Sequence, residues 1–157
     1  VTEIPLYDEA FAIVTNPDHP LAGRGDLTLE ALRDLELLLL DDGHCLRDQI
    51  VELCQLAEVD RGPGAQSATR AASLTTVVQL VVAGLGSTLV PMSAVATECA
   101  RPGIAVSAFA DGVEAKRTVG LVMRSSSRRQ QEFARLGELI TRAFEKAAES
   151  SVELLPR

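Results

Sequence analysis

The sequence predicts an α/β domain, and three observations carry that prediction. Short strand-like apolar runs alternate with stretches in which apolar residues return at helical spacing, the order expected of a sheet joined by crossover helices. The chain has 157 residues, 46% of them hydrophobic and 24% charged, which suffices to enclose one core. Aromatic residues make up only 3%, with no Trp and one Tyr, so that core is aliphatic.

Residues 2–6 and 11–15 read as strands. Asn16-Pro17-Asp18-His19-Pro20 is a loop, since two prolines remove amide donors and Asn and Asp favour turns. Residues 28–35 form a short helix with Thr28 at the N-cap and Ala31, Leu32 and Leu35 on one face. The run 36–40 is a buried strand ending at Asp41-Asp42-Gly43, and a helix follows from about residue 44 to residue 59. Arg61-Gly62-Pro63-Gly64 breaks the chain, and residues 66–71 read as a strand. Ser73 caps a helix carrying Leu74, Val77, Val78, Val81 and Val82, which Ala83-Gly84-Leu85-Gly86 terminates. A buried strand over 87–90 closes on Pro91. Next come a short helix over 92–99, a strand over 104–109, a turn at Asp111-Gly112 and a strand over 117–123. Phe133, Leu136, Leu139, Ile140, Ala143 and Phe144 recur at helical spacing and mark one long surface helix to about residue 149. Nothing after Ser150 is predicted to be ordered.

Charge and composition exclude several functions. Fifteen basic against 22 acidic residues give a net charge of −7, so this chain has no electrostatic reason to bind nucleic acid by itself. Base-stacking platforms and aromatic cages are hardly available with so few rings. No apolar run approaches the 18 or so residues that cross a bilayer, and residues 1–6 lack the pattern of a signal peptide. A chain opening on Val1 reads as cut from something longer. Three Cys, an odd count, argue against a disulfide-stapled secreted scaffold and for a reducing, cytoplasmic setting.

One of those thiols stands in a chemically active position. Cys45 follows Gly43-His44 at the start of a predicted helix, where unpaired amides and the helix dipole favour a thiolate, and His44 adds positive charge or a hydrogen bond. Cys54 lies nine residues later on the same predicted helix. At about 1.5 Å rise and 100° per residue, the two Cα atoms stand roughly 13 Å apart on opposite faces. A disulfide needs Cα atoms within about 7 Å, so a bond between them requires the helix to unwind or rebuild, and oxidation becomes a change of shape. The alternative is ordinary packing, because Cys is among the most often buried residues and Cys54 is flanked by Val51, Leu53 and Leu56. Cys45 has polar flanks, and Cys99, beside Glu98 and Arg101, reads as a bystander.

No metal or cofactor is expected. The three Cys and two His show no C-x-x-C pair, and His19 sits in a proline-rich loop. Gly84-Leu85-Gly86 ends a helix instead of opening one, so it is no phosphate cradle. Ser126, Ser127, Arg124, Arg128 and Arg129 read as a solvated helix N-terminus.

The stretch Asp42-Gly43-His44-Cys45-Leu46-Arg47-Asp48-Gln49 followed by Cys54 closely resembles the peroxide-sensing branch of the LysR-type transcription regulators. Leu6-Tyr7-Asp8-Glu9, Asp18-His19-Pro20, Ala72-Ser73-Leu74, residues 83–91 and residues 117–122 also resemble that family's effector domain, in order and at sensible separations. Gly84-Leu85-Gly86-Ser87-Thr88-Leu89-Val90-Pro91 is shared by many LysR-type regulators, whereas Gly43-His44-Cys45 with its distant partner selects the peroxide sensors. The resemblance implies a periplasmic-binding-protein-like α/β fold, a mixed sheet with flanking helices in two subdomains, the first incomplete here. Residues 1–8 would cross over from the first subdomain, 9–119 would form the second, and 120–157 would return to the first as a strand and helix. The winged helix-turn-helix, the linker helix and the threonines of the family's peroxide pocket would lie outside this sequence.

By the same resemblance Cys45 is the peroxidatic thiol and Cys54 the resolving one. His44, Gln49 and Arg117 match positions lining the peroxide pocket, and Asp48 matches a polar position that orients them. Taken by itself, Arg117 opens a strand and reads as an exposed charge. The implied partners are hydrogen peroxide, other copies of the chain as a dimer of regulatory domains within a tetramer, DNA through the missing domain, and a thioredoxin- or glutaredoxin-type reductant, with no membrane. Two other readings stand beside it: a LysR-type effector domain that binds a small metabolite and merely packs its cysteines, and a thiol peroxidase enzyme.

Overall fold

The computed structural model describes residues 1–59 and 69–156. The predicted break at Arg61-Gly62-Pro63-Gly64 and the first part of the strand predicted over 66–71 lie outside the described residues.

At its centre runs β1 (Thr2–Thr15), one strand of 14 residues where the sequence predicts two. Tyr7-Asp8-Glu9 interrupt the apolar pattern without interrupting the ladder, because a partner strand is available along that stretch. β6 (Lys116–Met123) pairs antiparallel with β1 from Thr2 to Ala10, and the register slips between Pro5 and Tyr7, next to a proline with no amide to donate. β4 (Thr88–Pro91) and β5 (Ala105–Ala108) flank the second half of β1, both antiparallel, in the order β4-β1-β5. Phe11, Ala12, Ile13 and Val14 are buried consecutively, so both faces of β1 are covered there.

The predicted strand over 36–40 narrows to β2 (Leu39–Leu40), which pairs in parallel with β3 (Arg70–Ala71). A parallel bridge between Leu37 and Ser87 joins this pair to the chain entering β4; Leu38 N donates to Ser87 O, and Ser87 N to Glu36 O. Gly86 precedes that junction at φ +152, and a Cβ there would stand 2.5 Å from Glu36 O, so the approach of the two segments requires glycine.

Helices cover the sheet. Between β2 and β3 comes α1 (Cys45–Leu56), close to the predicted 44–59. α2 (Leu74–Val82) starts as predicted at Ser73, whose hydroxyl accepts from Thr76 N, and buries Val77, Val78 and Val81. α3 (Met92–Glu98) follows β4 directly. The helix predicted over 28–35 is a 3₁₀ helix (Leu29–Asp34), and Thr28 occupies its N-cap without a side-chain hydrogen bond; a run this short closes with bonds such as Ala31 N to Thr28 O.

The last element is α4 (Gln130–Val152), held to β1 by Phe144 stacking on Tyr7 with centroids 3.8 Å apart. Order persists past Ser150, against the sequence expectation. Ser151 is fully buried; its hydroxyl accepts from Ala96 N of α3 and donates to Ala147 O. Leu155 packs against the core. This anchor is a contact with a distant helix, so no local periodicity announces it.

Candidate redox site

The site begins at a turn that only glycine accommodates well. His44 N donates to Asp41 O, Gly43 takes φ +92, and His44 is extended at the N-cap of α1 with no side-chain cap. Cys45 is therefore the first helical residue, and it is exposed. The unpaired amides of the first turn and the positive end of the helix dipole surround that position. Asp42 braces the turn: Oδ1 lies 3.0 Å from Arg47 Nη2 and Oδ2 lies 2.8 Å from Arg70 Nη1, which ties the first turn of α1 to β3. Asp48, also exposed, faces the same Arg47, with Oδ1 3.4 Å from Nη1.

Further along, α1 is amphipathic. Leu46, Ile50, Leu53 and Cys54 are buried at successive helical spacings, and Cys54 keeps only 5% exposure. Neither Cys45 nor Cys54 is in a disulfide, and α1 is unbroken between them, with Cα atoms roughly 13 Å apart by helical rise.

Cys45 and Gln49 are four residues apart and share a face of α1. Gln49 in turn meets Arg117 of β6, whose Nη1 lies 3.5 Å from Gln49 Oε1. Arg117 is largely buried at 22% exposure and donates from Nε (2.8 Å) and Nη2 (2.7 Å) to Glu9 Oε2. A cavity of about 250 Å³ lies between α1 and β6, lined by Gln49, Glu52, Leu53, Lys116, Arg117 and Thr118 among others. Gln49 and Arg117 are thus brought together, His44, Cys45 and Asp48 stand at the N-terminal end of the same helix, and Cys54 faces the core.

Arg117 is not the exposed charge that its place at a strand start suggests, and Glu9 was missed altogether. The signal for Glu9 is strand alternation: residues 9, 11 and 13 point to one side, and Phe11 and Ile13 are core residues, so an acid at 9 is buried and needs a cationic partner. Cys99 is buried away from this region, and burial together with Glu98 pushes its thiol up to about 11 against the opposing Arg101. His19 Nδ1 accepts from Leu21 N inside its own loop. Ser127 N closes a turn onto Arg124 O, and Arg129 forms the N-cap of α4, as the reading of that basic run anticipated.

Residues 1–145 match the family model described as LysR substrate binding domain. The chain is 50% identical over 141 residues to a probable hydrogen peroxide-inducible genes activator of Mycobacterium avium, covering 89% of this chain and 44% of that relative. Among solved structures it is similar to a cysteine-to-serine mutant of Corynebacterium glutamicum OxyR with hydrogen peroxide bound, at 56% identity and a TM-score of 0.92 over 97% of this chain and 47% of that one. Against the oxidized form of that OxyR the identity is the same and the TM-score is 0.77, over 97% of this chain and 46% of that one. Equal identity with unequal TM-scores places the geometry of this chain nearer the peroxide-bound mutant than the oxidized form. The chain spans less than half the length of each of these relatives.

Proposed function

This chain belongs to the LysR substrate-binding domain family, and we propose that it is the peroxide-sensing regulatory domain of a LysR-type transcription activator in which Cys45 is the thiol that peroxide oxidises. The observation that carries this reading is the exposed Cys45 at the N-terminus of α1, one turn from the Gln49–Arg117 contact, with a second cysteine, Cys54, buried further along the same helix. The likeness to peroxide-inducible activators supports it.

In the proposed chemistry the Cys45 thiolate attacks one oxygen of hydrogen peroxide. A sulfur–oxygen bond forms, the oxygen–oxygen bond breaks, and hydroxide leaves to take up a proton as water, so the thiol is oxidised to sulfenic acid and the peroxide is reduced. His44, Gln49 and Arg117 hold the peroxide and steady the departing hydroxide, and Asp48 orients the array. Cys54 then attacks the Cys45 sulfur, a disulfide forms, and the sulfenic oxygen leaves as water. Because α1 holds the two apart, that bond requires the helix to rebuild, which converts one oxidation into a repacked surface. The domain is a switch used once per signal and not a turnover enzyme.

On the same reading residues 1–8 cross from a first subdomain, 9–119 form the second, and 120–157 return to the first. The complete protein is a cytoplasmic dimer or tetramer of such regulators, binds DNA through another domain, and is reset by a thioredoxin- or glutaredoxin-type dithiol reductant. The test is peptide mass spectrometry of the intact protein after stoichiometric hydrogen peroxide. A Cys45–Cys54 linkage with loss of two hydrogens is expected, and a Cys45→Ser variant that still responds to peroxide overturns the assignment.

A further inference from the structure

Glu9 is a carboxylate 1% exposed, in the middle of a strand whose continuation is core. A buried charge persists only when it is paired and hydrogen-bonded, and Glu9 has three donors. Oε1 accepts from Ser93 N at 2.7 Å, at the start of α3, and Oε2 accepts from both Nε and Nη2 of Arg117. Glu9 and Arg117 are also direct partners in the β1–β6 ladder, so backbone register and side-chain pairing fix the same contact. A guanidinium is a rigid planar fork. With Nε and Nη2 held by one oxygen, its plane is set, and Nη1 is the edge presented to Gln49, beside the cavity that both residues line.

We propose that Glu9 is the positioning residue of the peroxide site: it touches no peroxide itself, but anchors Arg117 so that Nη1 stands beside Gln49, one turn along α1 from Cys45. This rests on the reading of Cys45 as the peroxide-reactive thiol. Loss of the anchor frees the guanidinium to swing by the ångström or so that separates a useful donor from a useless one, an effect worth up to about a hundredfold in rate. Alkylation of Cys45 needs no donor on the departing oxygen and so is indifferent to Glu9.

The experiment compares Glu9→Gln, Arg117→Gln and the double variant with wild type in the intact protein. It measures the rate of Cys45 oxidation by hydrogen peroxide, the rate of Cys45 alkylation by iodoacetamide, and the thermal midpoint. Glu9→Gln is expected to slow peroxide oxidation about tenfold to a hundredfold while leaving alkylation within about twofold, and Glu9→Asp is expected to recover part of the loss. Adding Glu9→Gln to Arg117→Gln is expected to change the peroxide rate no further, because the residue through which Glu9 acts is already gone. Where Glu9→Gln alone does not fold, Glu9→Asp carries the test: it keeps the buried charge but shortens its reach to Arg117, and it is expected to slow peroxide oxidation while leaving alkylation and the fold intact. A folded Glu9→Gln protein oxidised at the wild-type rate, an equal loss in alkylation, or a further loss in the Arg117→Gln background each overturns the role of Glu9. A wild-type Cys45 that peroxide oxidises no faster than free cysteine overturns the sensor reading itself, and with it this one.

Discussion

Cys45 is exposed at the first position of α1, and Cys54, on the opposite face of the same helix, is buried with 5% exposure. Exposure suits Cys45 to meet a small oxidant, and burial keeps Cys54 from meeting it first. Oxidation to a disulfide is expected to cost α1 its helical structure and to draw Cys54 out of the core. Circular dichroism should lose helical signal on peroxide treatment, and amide exchange over residues 46–56 should accelerate. A Cys54→Ser protein should stop at sulfenic acid with both signals unchanged.

Gly43 sits at φ +92 in the turn that delivers Cys45 to the helix start. A Cβ there meets nothing within 4 Å among the described residues, so the cost of Gly43→Ala is backbone strain, about 1–2 kcal/mol. Denaturant unfolding should show that loss, and Gly43→Asn should lose less because Asn tolerates left-handed backbone.

Ile50 is 2% exposed on the inner face of α1, whereas Leu56 on the same helix is 63% exposed. Ile50→Ala is expected to destabilise by about 2–5 kcal/mol, through lost burial and the cavity left behind, and Leu56→Ala to stay within about 0.5 kcal/mol. The reverse order in chemical denaturation would mean that α1 packs by another face.

Burial raises the Cys99 thiol from 9.0 to about 11, so the folded protein holds that proton more tightly than the unfolded chain. Stability from this site is fully present below about pH 9 and is lost as pH rises towards 11. Cys99→Ala should flatten the decline of unfolding free energy in that window. At neutral pH a thiol reagent should label Cys45 and leave the buried Cys99 unmodified in the folded protein.

Ser151 joins the end of α4 to α3 through its fully buried hydroxyl. Ser151→Ala is expected to cost about 0.5–1.5 kcal/mol, the net value of a hydrogen bond. Ending the chain at Ser150 should cost more, since it also removes Leu155 from the core edge. Thermal unfolding of the two variants distinguishes an anchored C-terminus from a free one.

Much of this protein follows from short stretches of chain. Ser73 capping α2, the Asp42-Gly43 turn that sets the start of α1, the opposite faces of Cys45 and Cys54, and the apolar stripe of α4 each depend on residues within a few positions of one another, because caps, turns and helical periodicity are local physics. The tertiary structure alone decided the rest. A polar interruption at residues 7–9 does not split β1, because β6 pairs along it. A glutamate at 9 is buried because an arginine 108 residues away stands opposite it in the ladder. The chain beyond Ser150 is ordered because Ser151 is buried against α3, where its hydroxyl accepts from Ala96 N. Each of these depends on strand register and helix docking across the chain: alternation along β1 turns Glu9 towards the core side, but its partner, like the contact that presents Arg117 to Gln49, is fixed only by the fold.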